Sequence, residues 1–189
     1  HPHLSSHTLA LVHNGVIENH QVLKEELKEN GYTSWRSDTD SEVLAHHLHH
    51  SLQQHTSIQT GLHAALQNIS GSYAIVLLLS HEPNALYAVA QQSPLLIGKS
   101  TTGYHFASDV IALSDVCFAY MRLPENTIIK ATATTLNTWP PCDISWEKTP
   151  CPLPKTHLTK DITHNEIHAQ ASIIPELHHA TRIPKEIPN

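Results

Sequence analysis

Charge of one sign, long apolar runs and paired cysteines are all scarce in this 189-residue sequence, and each scarcity removes a class of function. Charged residues make up only 15% of the chain, the formal net charge is -6, and Lys and Arg form no run. There is therefore no electrostatic footprint for nucleic acid or for an anionic membrane surface, and neither partner is expected. The longest apolar stretch, Ala74 to Leu79, is strand-sized and far short of the roughly 20 residues that cross a bilayer. The three cysteines, Cys117, Cys142 and Cys151, are odd in number and lack CxxC spacing, and the first lies in an apolar run. That favours reduced thiols and a cytoplasmic location. No signal peptide is visible, and the chain opens on His1-Pro2-His3 without a methionine, so the true start is expected upstream. The length suits one medium domain plus a tail, enough to bury a core without metal or disulfide staples.

Histidine, by contrast, is abundant, with 18 residues. His46, His47, His49 and His50 cluster, and on a helix His46 and His50 would share one face at i and i+4, a usable zinc-ligand spacing. No H-E-x-x-H pattern and no nearby cysteine accompanies them, so a solvated helix face is the preferred reading and no metal is expected.

Apolar spacing lays out the elements. Thr8 to His13 reads as a strand that Asn14-Gly15 punctuates as a turn. A helix is expected over 20–30, with Asn19 as its N-cap and Gly31 just past its end. Two more are expected over 41–54, behind Thr39 and Asp40, and over 58–69, behind Thr56 or Ser57. From Ser70 the period changes to short apolar runs at 73–79, 86–90, 95–98, 104–107, 116–122 and 127–136, which predict an antiparallel meander. Helices in one block and strands in another give an α+β layered fold. Five prolines between 140 and 154 mark a linker, so a partial domain is expected over 1–138 and a Pro-rich leading segment over 139–189, with one further helix at about 161–174.

Taken alone, Asn14-Gly15 is a turn signal and Asp40 a helix cap. The ordered set of motifs around them says more. His13-Asn14-Gly15-Val16-Ile17-Glu18-Asn19, Gly31-Tyr32, Ser37-Asp38-Thr39-Asp40-Ser41-Glu42-Val43, Gly71-Ser72-Tyr73-Ala74, Ser93-Pro94-Leu95-Leu96-Ile97-Gly98, Ala107-Ser108-Asp109 and Glu166-Ile167-His168-Ala169-Gln170 occur in sequence. In these motifs the chain resembles the class II glutamine amidotransferase domain of the glutamine:fructose-6-phosphate aminotransferase family, nearly end to end.

The resemblance implies an N-terminal-nucleophile hydrolase fold, a four-layer αββα sandwich of antiparallel sheets that this chain would hold in part. It implies glutamine as substrate, no cofactor, a sugar isomerase domain elsewhere in the parent chain as partner, and it admits a homo-oligomer. Asn14 and Gly15 match the family's oxyanion hole, in which preorganised donors meet the charge that develops on the amide oxygen. Asp40 matches the carboxylate that holds the α-ammonium of glutamine, and His1 a residue at the rim of the glutamine pocket. Glu18 and Asn19 fit helix-start roles, and Ser93 a turn hydroxyl, without catalysis.

The family's nucleophile is a cysteine at the mature N-terminus whose own α-amino group is the base. It and an Arg-Trp-Ala-Thr-His-Gly segment would precede His1, and Cys117, Cys142 and Cys151 cannot replace it because none has a free α-amino group. This chain by itself is therefore expected to be inactive, with an unpaired sheet edge. Two local departures stand out: Ala90-Gln91-Gln92 before Ser93, where the family shows Arg and then Gly, and Glu125-Asn126-Thr127 in place of a Glu-Gly turn. Asn tolerates the left-handed region that Gly would adopt. The competing reading is a diverged, non-catalytic binding module that uses a His-rich surface for metal or partner contacts.

Overall fold

The computed structural model describes residues 2–150, so His1, Cys151 and the helix expected at about 161–174 lie outside the described residues. Strand β2 (Leu9–Ile17) shows why it forms: Leu9, Leu11, His13 and Ile17 are buried while Val12, Asn14 and Val16 are exposed. That is the period of two of a strand with one covered face. β1 (His3–Ser5) pairs along its edge.

β2 does not stop at Asn14-Gly15, where the sequence predicts a turn. It continues to Ile17 in unbroken antiparallel register with β3 (Gly71–Leu79), Gly15 opposite Tyr73. Gly15 has φ +136° and lies so close to β3 that a Cβ there would stand 2.1 Å from the Ser72 carbonyl oxygen. The glycine serves close approach between strands rather than a turn.

Helix α1 (His20–Glu29) ends in a Schellman motif: Gly31, at φ +89°, donates its N–H to the Lys28 carbonyl and Tyr32 to that of Leu27, both at 3.0 Å. Asn19 precedes the helix, yet its side chain makes no cap bond. It donates instead to the Asn68 carbonyl (2.7 Å) and accepts from the Ser70 N–H (2.9 Å), pinning the helix start to the beginning of β3. α2 (Asp40–Gln54) is capped by the Thr39 hydroxyl and α3 (Ile58–Gln67) by that of Ser57, each accepting from a backbone N–H three residues on.

The strands divide into two antiparallel sheets, not one meander. Six strands run in the order β1-β2-β3-β4-β8-β9, with β4 at Leu86–Gln91, β8 at Ile128–Ala131 and β9 at Leu136–Trp139. Four more, β10 (Glu147–Lys148), β7 (Ala119–Arg122), β5 (Leu96–Lys99) and β6 (Tyr104–Ala107), form the second sheet in that order. The chain leaves the first sheet after β4 and returns at β8.

Side-chain size explains the split. Tyr73, Ile75, Leu77, Tyr87 and Val89 face the helices and join their Leu23, Leu27, Leu44, Leu48 and Leu62 in one core. Ala74, Ala88, Ala90 and Ala131 face the other way, and their small side chains admit Ile97, Met121 and Leu123 from the second sheet. β3 and β4 thus bury both faces, which a single-sheet meander cannot do. The one-turn helix α4 (Ile111–Ser114) covers Leu96 and Cys117 on the outer side. Helices, sheet, sheet and a rudimentary outer helix make an α+β fold with three full layers.

The body extends past residue 138. Ile144 and Trp146 pack against the inter-sheet core, the Trp146 ring stacks on Tyr104 at 6.1 Å, and β10 pairs with β7. Prolines limit helix and central strand but not an extended edge, so a Pro-rich composition is compatible with this docking.

Candidate functional site

Asn14 and Gly15 are the sixth and seventh of the nine residues of β2, and Asp40 opens α2. The fold brings them together through the backbone: the Ile17 N–H donates to Asp40 Oδ2 at 2.8 Å, two residues beyond Gly15. One residue before Asn14, the His13 Nδ1 lies 2.9 Å from the Ser41 Oγ. Burial holds the His13 imidazole below its usual range despite the opposing pull of Asp40, so it is neutral at pH 7.

Asn14 lies on the exposed face of β2 and lines a cleft of about 530 Å³ between the two sheets, within the range of small-molecule sites (roughly 300–1,000 Å³). Its far wall is Tyr104 to Ser108, and its floor includes Ala74 and Val76. Among the described residues no hydrogen bond engages the Asn14 side-chain amide, which leaves it available to a ligand. Gly15 and Asp40 do not line this cleft, and His1 lies outside the described residues. Ser93, expected to be a turn hydroxyl, donates to the Asn14 carbonyl at 3.3 Å and so supports the strand from the next loop.

Both departures from the family motifs occupy left-handed backbone. Gln92 has φ +54° and Asn126 φ +56°. Asn accepts that conformation readily, whereas Gln pays roughly 1–2 kcal/mol relative to a glycine.

The histidine cluster is not a solvated face. His46, His47 and His49 are buried, because α2 is enclosed by α1, α3, β1 and β2 and every side of it meets protein. Ser5 Oγ lies 2.8 Å from His46 Nδ1 and 3.0 Å from His49 Nδ1, Thr8 Oγ1 lies 2.9 Å from His49 Nε2, and His47 Nε2 donates to the Ala65 carbonyl at 3.1 Å. One hydroxyl proton can serve only one of the two rings at Ser5, so the other ring donates to it. Burial lowers the pKa of all three imidazoles. Among the described residues no group of three or more His, Cys, Asp or Glu is placed to hold a metal ion.

What sequence reasoning missed at the site is the pair His13 and Ser41. Both sit inside the quoted motifs, and the alternation of β2 already turns residue 13 toward the helices.

Known proteins fit this arrangement. A family model for a glutamine amidotransferase domain matches residues 1–115, which hold β2, α2, β3 and the cleft. The chain is 39% identical over 139 residues to a glutamine--fructose-6-phosphate aminotransferase [isomerizing] of Pseudomonas syringae pv. tomato, covering 74% of this chain and 23% of that protein. The protein of the same description from Escherichia coli (strain K12) is 39% identical over 137 residues, covering 72% of this chain and 22% of that one. The chain thus spans about a quarter of the length of the curated relatives it matches. Among solved structures, a glutamine phosphoribosylpyrophosphate amidotransferase from B. subtilis complexed with ADP and GMP shares the fold, with a TM-score of 0.60 at 22% identity over 72% of this chain and 30% of that one. The match to the amidotransferase family takes in well over half of the chain and every element that places Asn14, Gly15 and Asp40, and the protein belongs to the family of glutamine amidotransferase domains.

Proposed function

We infer that this chain contributes the oxyanion and α-ammonium contacts of a glutaminase site. The observation that supports this most directly is the Ile17 N–H to Asp40 Oδ2 bond, which ties the carboxylate suited to an ammonium group to the strand that carries Asn14 and Gly15. In this reading a cysteine thiol with a free α-amino group attacks the side-chain amide carbon of glutamine. Charge develops on the amide oxygen, the Asn14 side-chain amide and the Gly15 N–H receive it, and ammonia leaves. The Asp40 oxygen not held by Ile17 takes the α-ammonium at the other end of the substrate.

For the whole protein we propose transfer of that nitrogen to fructose 6-phosphate, giving glucosamine 6-phosphate and glutamate, in the cytoplasm and without a cofactor. Among the described residues no helix is long and apolar enough to cross a membrane. We propose that a segment leading toward a sugar isomerase domain begins after β10, a reading supported by the packing of Trp146 against the inter-sheet core.

The test is glutamine hydrolysis by a protein that carries an N-terminal cysteine segment of a relative ahead of residue 1. Asn14→Ala is expected to lower kcat by roughly 10²–10³-fold with little change in KM, the cost of removing one oxyanion donor. Asp40→Asn is expected to act chiefly on KM. Full activity with Ala at position 14 would overturn the assignment.

A further inference from the structure

We propose that His13 and Ser41 are positioning residues, which hold the Asn14-Gly15 segment of β2 rigidly against the carboxylate at the start of α2. The proposal rests on the glutaminase reading and adds two residues that act through the strand, the His13 side chain lying on its covered, helix-facing side. Residues 13, 15 and 17 share the helix-facing side of β2, and residue 15 has no side chain. The first two residues of α2 grip the strand on either side of that gap. Ser41 Oγ meets His13 Nδ1 at 2.9 Å before it, and Asp40 Oδ2 meets the Ile17 N–H at 2.8 Å after it.

The direction of the bonds closes the clamp. Ser41 Oγ donates to Asp40 Oδ1 at 3.4 Å, so its remaining capacity is as an acceptor, and His13 carries its proton on Nδ1 to serve it. His13 Nε2 is then a bare nitrogen, and it is buried without a partner among the described residues. A merely structural contact between strand and helix would be met more cheaply by apolar packing, as it is at Leu9 and Leu11 further back on the same face. Among the described residues the polar ties that β2 itself makes to α2 are at His13 and Ile17, on either side of Asn14 and Gly15, while Thr8, just before the strand, meets His49 at its other end. The two donors and the carboxylate thus move as one unit, and an oxyanion hole depends on donors fixed before charge develops.

Two measurements test this. In the chain as it stands, Ser41→Ala is expected to speed hydrogen exchange of the Asn14 amide, which the register directs to β3, about 10-fold or more and to leave those of Leu9 to Leu11 unchanged, whereas Ser41→Thr, which keeps the hydroxyl, restores protection. In the full natural protein, Ser41→Ala is expected to lower kcat for glutamine hydrolysis by about 10–100-fold and to change KM less than about 3-fold, because the 3.4 Å contact with Asp40 contributes little to ammonium binding. Ser41→Thr should recover most of kcat. Unaltered exchange, or wild-type kcat in the Ala variant, overturns the proposal. A full natural protein that hydrolyses no glutamine sinks the glutaminase reading, and the positioning role with it, while accelerated exchange would still identify the clamp as a feature of the fold.

Discussion

At Gly15 two demands coincide: φ is +136°, and a Cβ would stand 2.1 Å from Ser72 O and 2.9 Å from Tyr73 Cα, both backbone atoms of a core strand. Gly31 also has positive φ, +89°, yet nothing lies within 4 Å of its would-be Cβ. Gly15→Ala should therefore cost roughly 3 kcal/mol or more, from strain plus a forced parting of β2 and β3, and Gly31→Ala only about 1 kcal/mol. Urea unfolding of the two variants checks this, and equal losses would refute the close-approach argument. The same residue shows what a sequence conveys locally. Asn-Gly signals positive φ, and positive φ is present at Gly15, but whether it makes a turn or lets two strands touch depends on β3, which arrives only after three helices. Asn14, Gly15 and Asp40 could be named from motifs, whereas the His13–Ser41 contact needs the strand and helix already in place.

Helix α2 was readable in extent, from the spacing of Val43, Leu44, Leu48 and Leu52, but not in environment. Histidines at 46, 47 and 49 look like a polar face, and they are covered because β1 closes over His46 and His49 with Ser5 while His47 turns to the Ala65 carbonyl of α3. Ser5 is fully buried and serves the Nδ1 atoms of two imidazoles that are themselves buried. Removing its hydroxyl leaves at least one buried ring nitrogen unpaired, so Ser5→Ala is expected to destabilise the fold by about 2 kcal/mol. Denaturant midpoints measure it. A loss under about 0.5 kcal/mol would mean that the rings find other partners and that the hydroxyl is incidental.

For the molecule as a whole, these imidazoles set the response to acid. His13, His46, His47 and His49 all have pKa values lowered from 6.5, chiefly by burial. The unfolded chain therefore binds protons at these positions at a higher pH than the folded one does, so unfolding takes up protons and stability falls as pH drops below about 6.5. Glu42 acts in a lower window. Burial raises its pKa, but hydrogen bonds from the Arg36 and Ser37 backbone and the Ser37 hydroxyl outweigh that and lower it, so its contribution is lost only as pH falls below 4.5 toward the folded value. Urea midpoints should hold steady from pH 8 to 7 and decline through pH 6 to 5, and a flat profile down to pH 5 would contradict the burial of the histidines. The α+β class was legible because helical and strand periods occupy separate blocks of the chain. The division into two sheets came from the family resemblance and not from the apolar runs, since a strand covered on both faces shows an apolar run whichever sheet it joins. The longest pairing of the fold, β2 with β3 over nine residues each, spans the whole helical block. No local event can start that ladder, because its loop-closure entropy must be met before its first contact forms. All of α1, α2 and α3 is therefore synthesised before the central sheet can close, and on a ribosome β2 waits with an open edge until Gly71 to Leu79 has emerged.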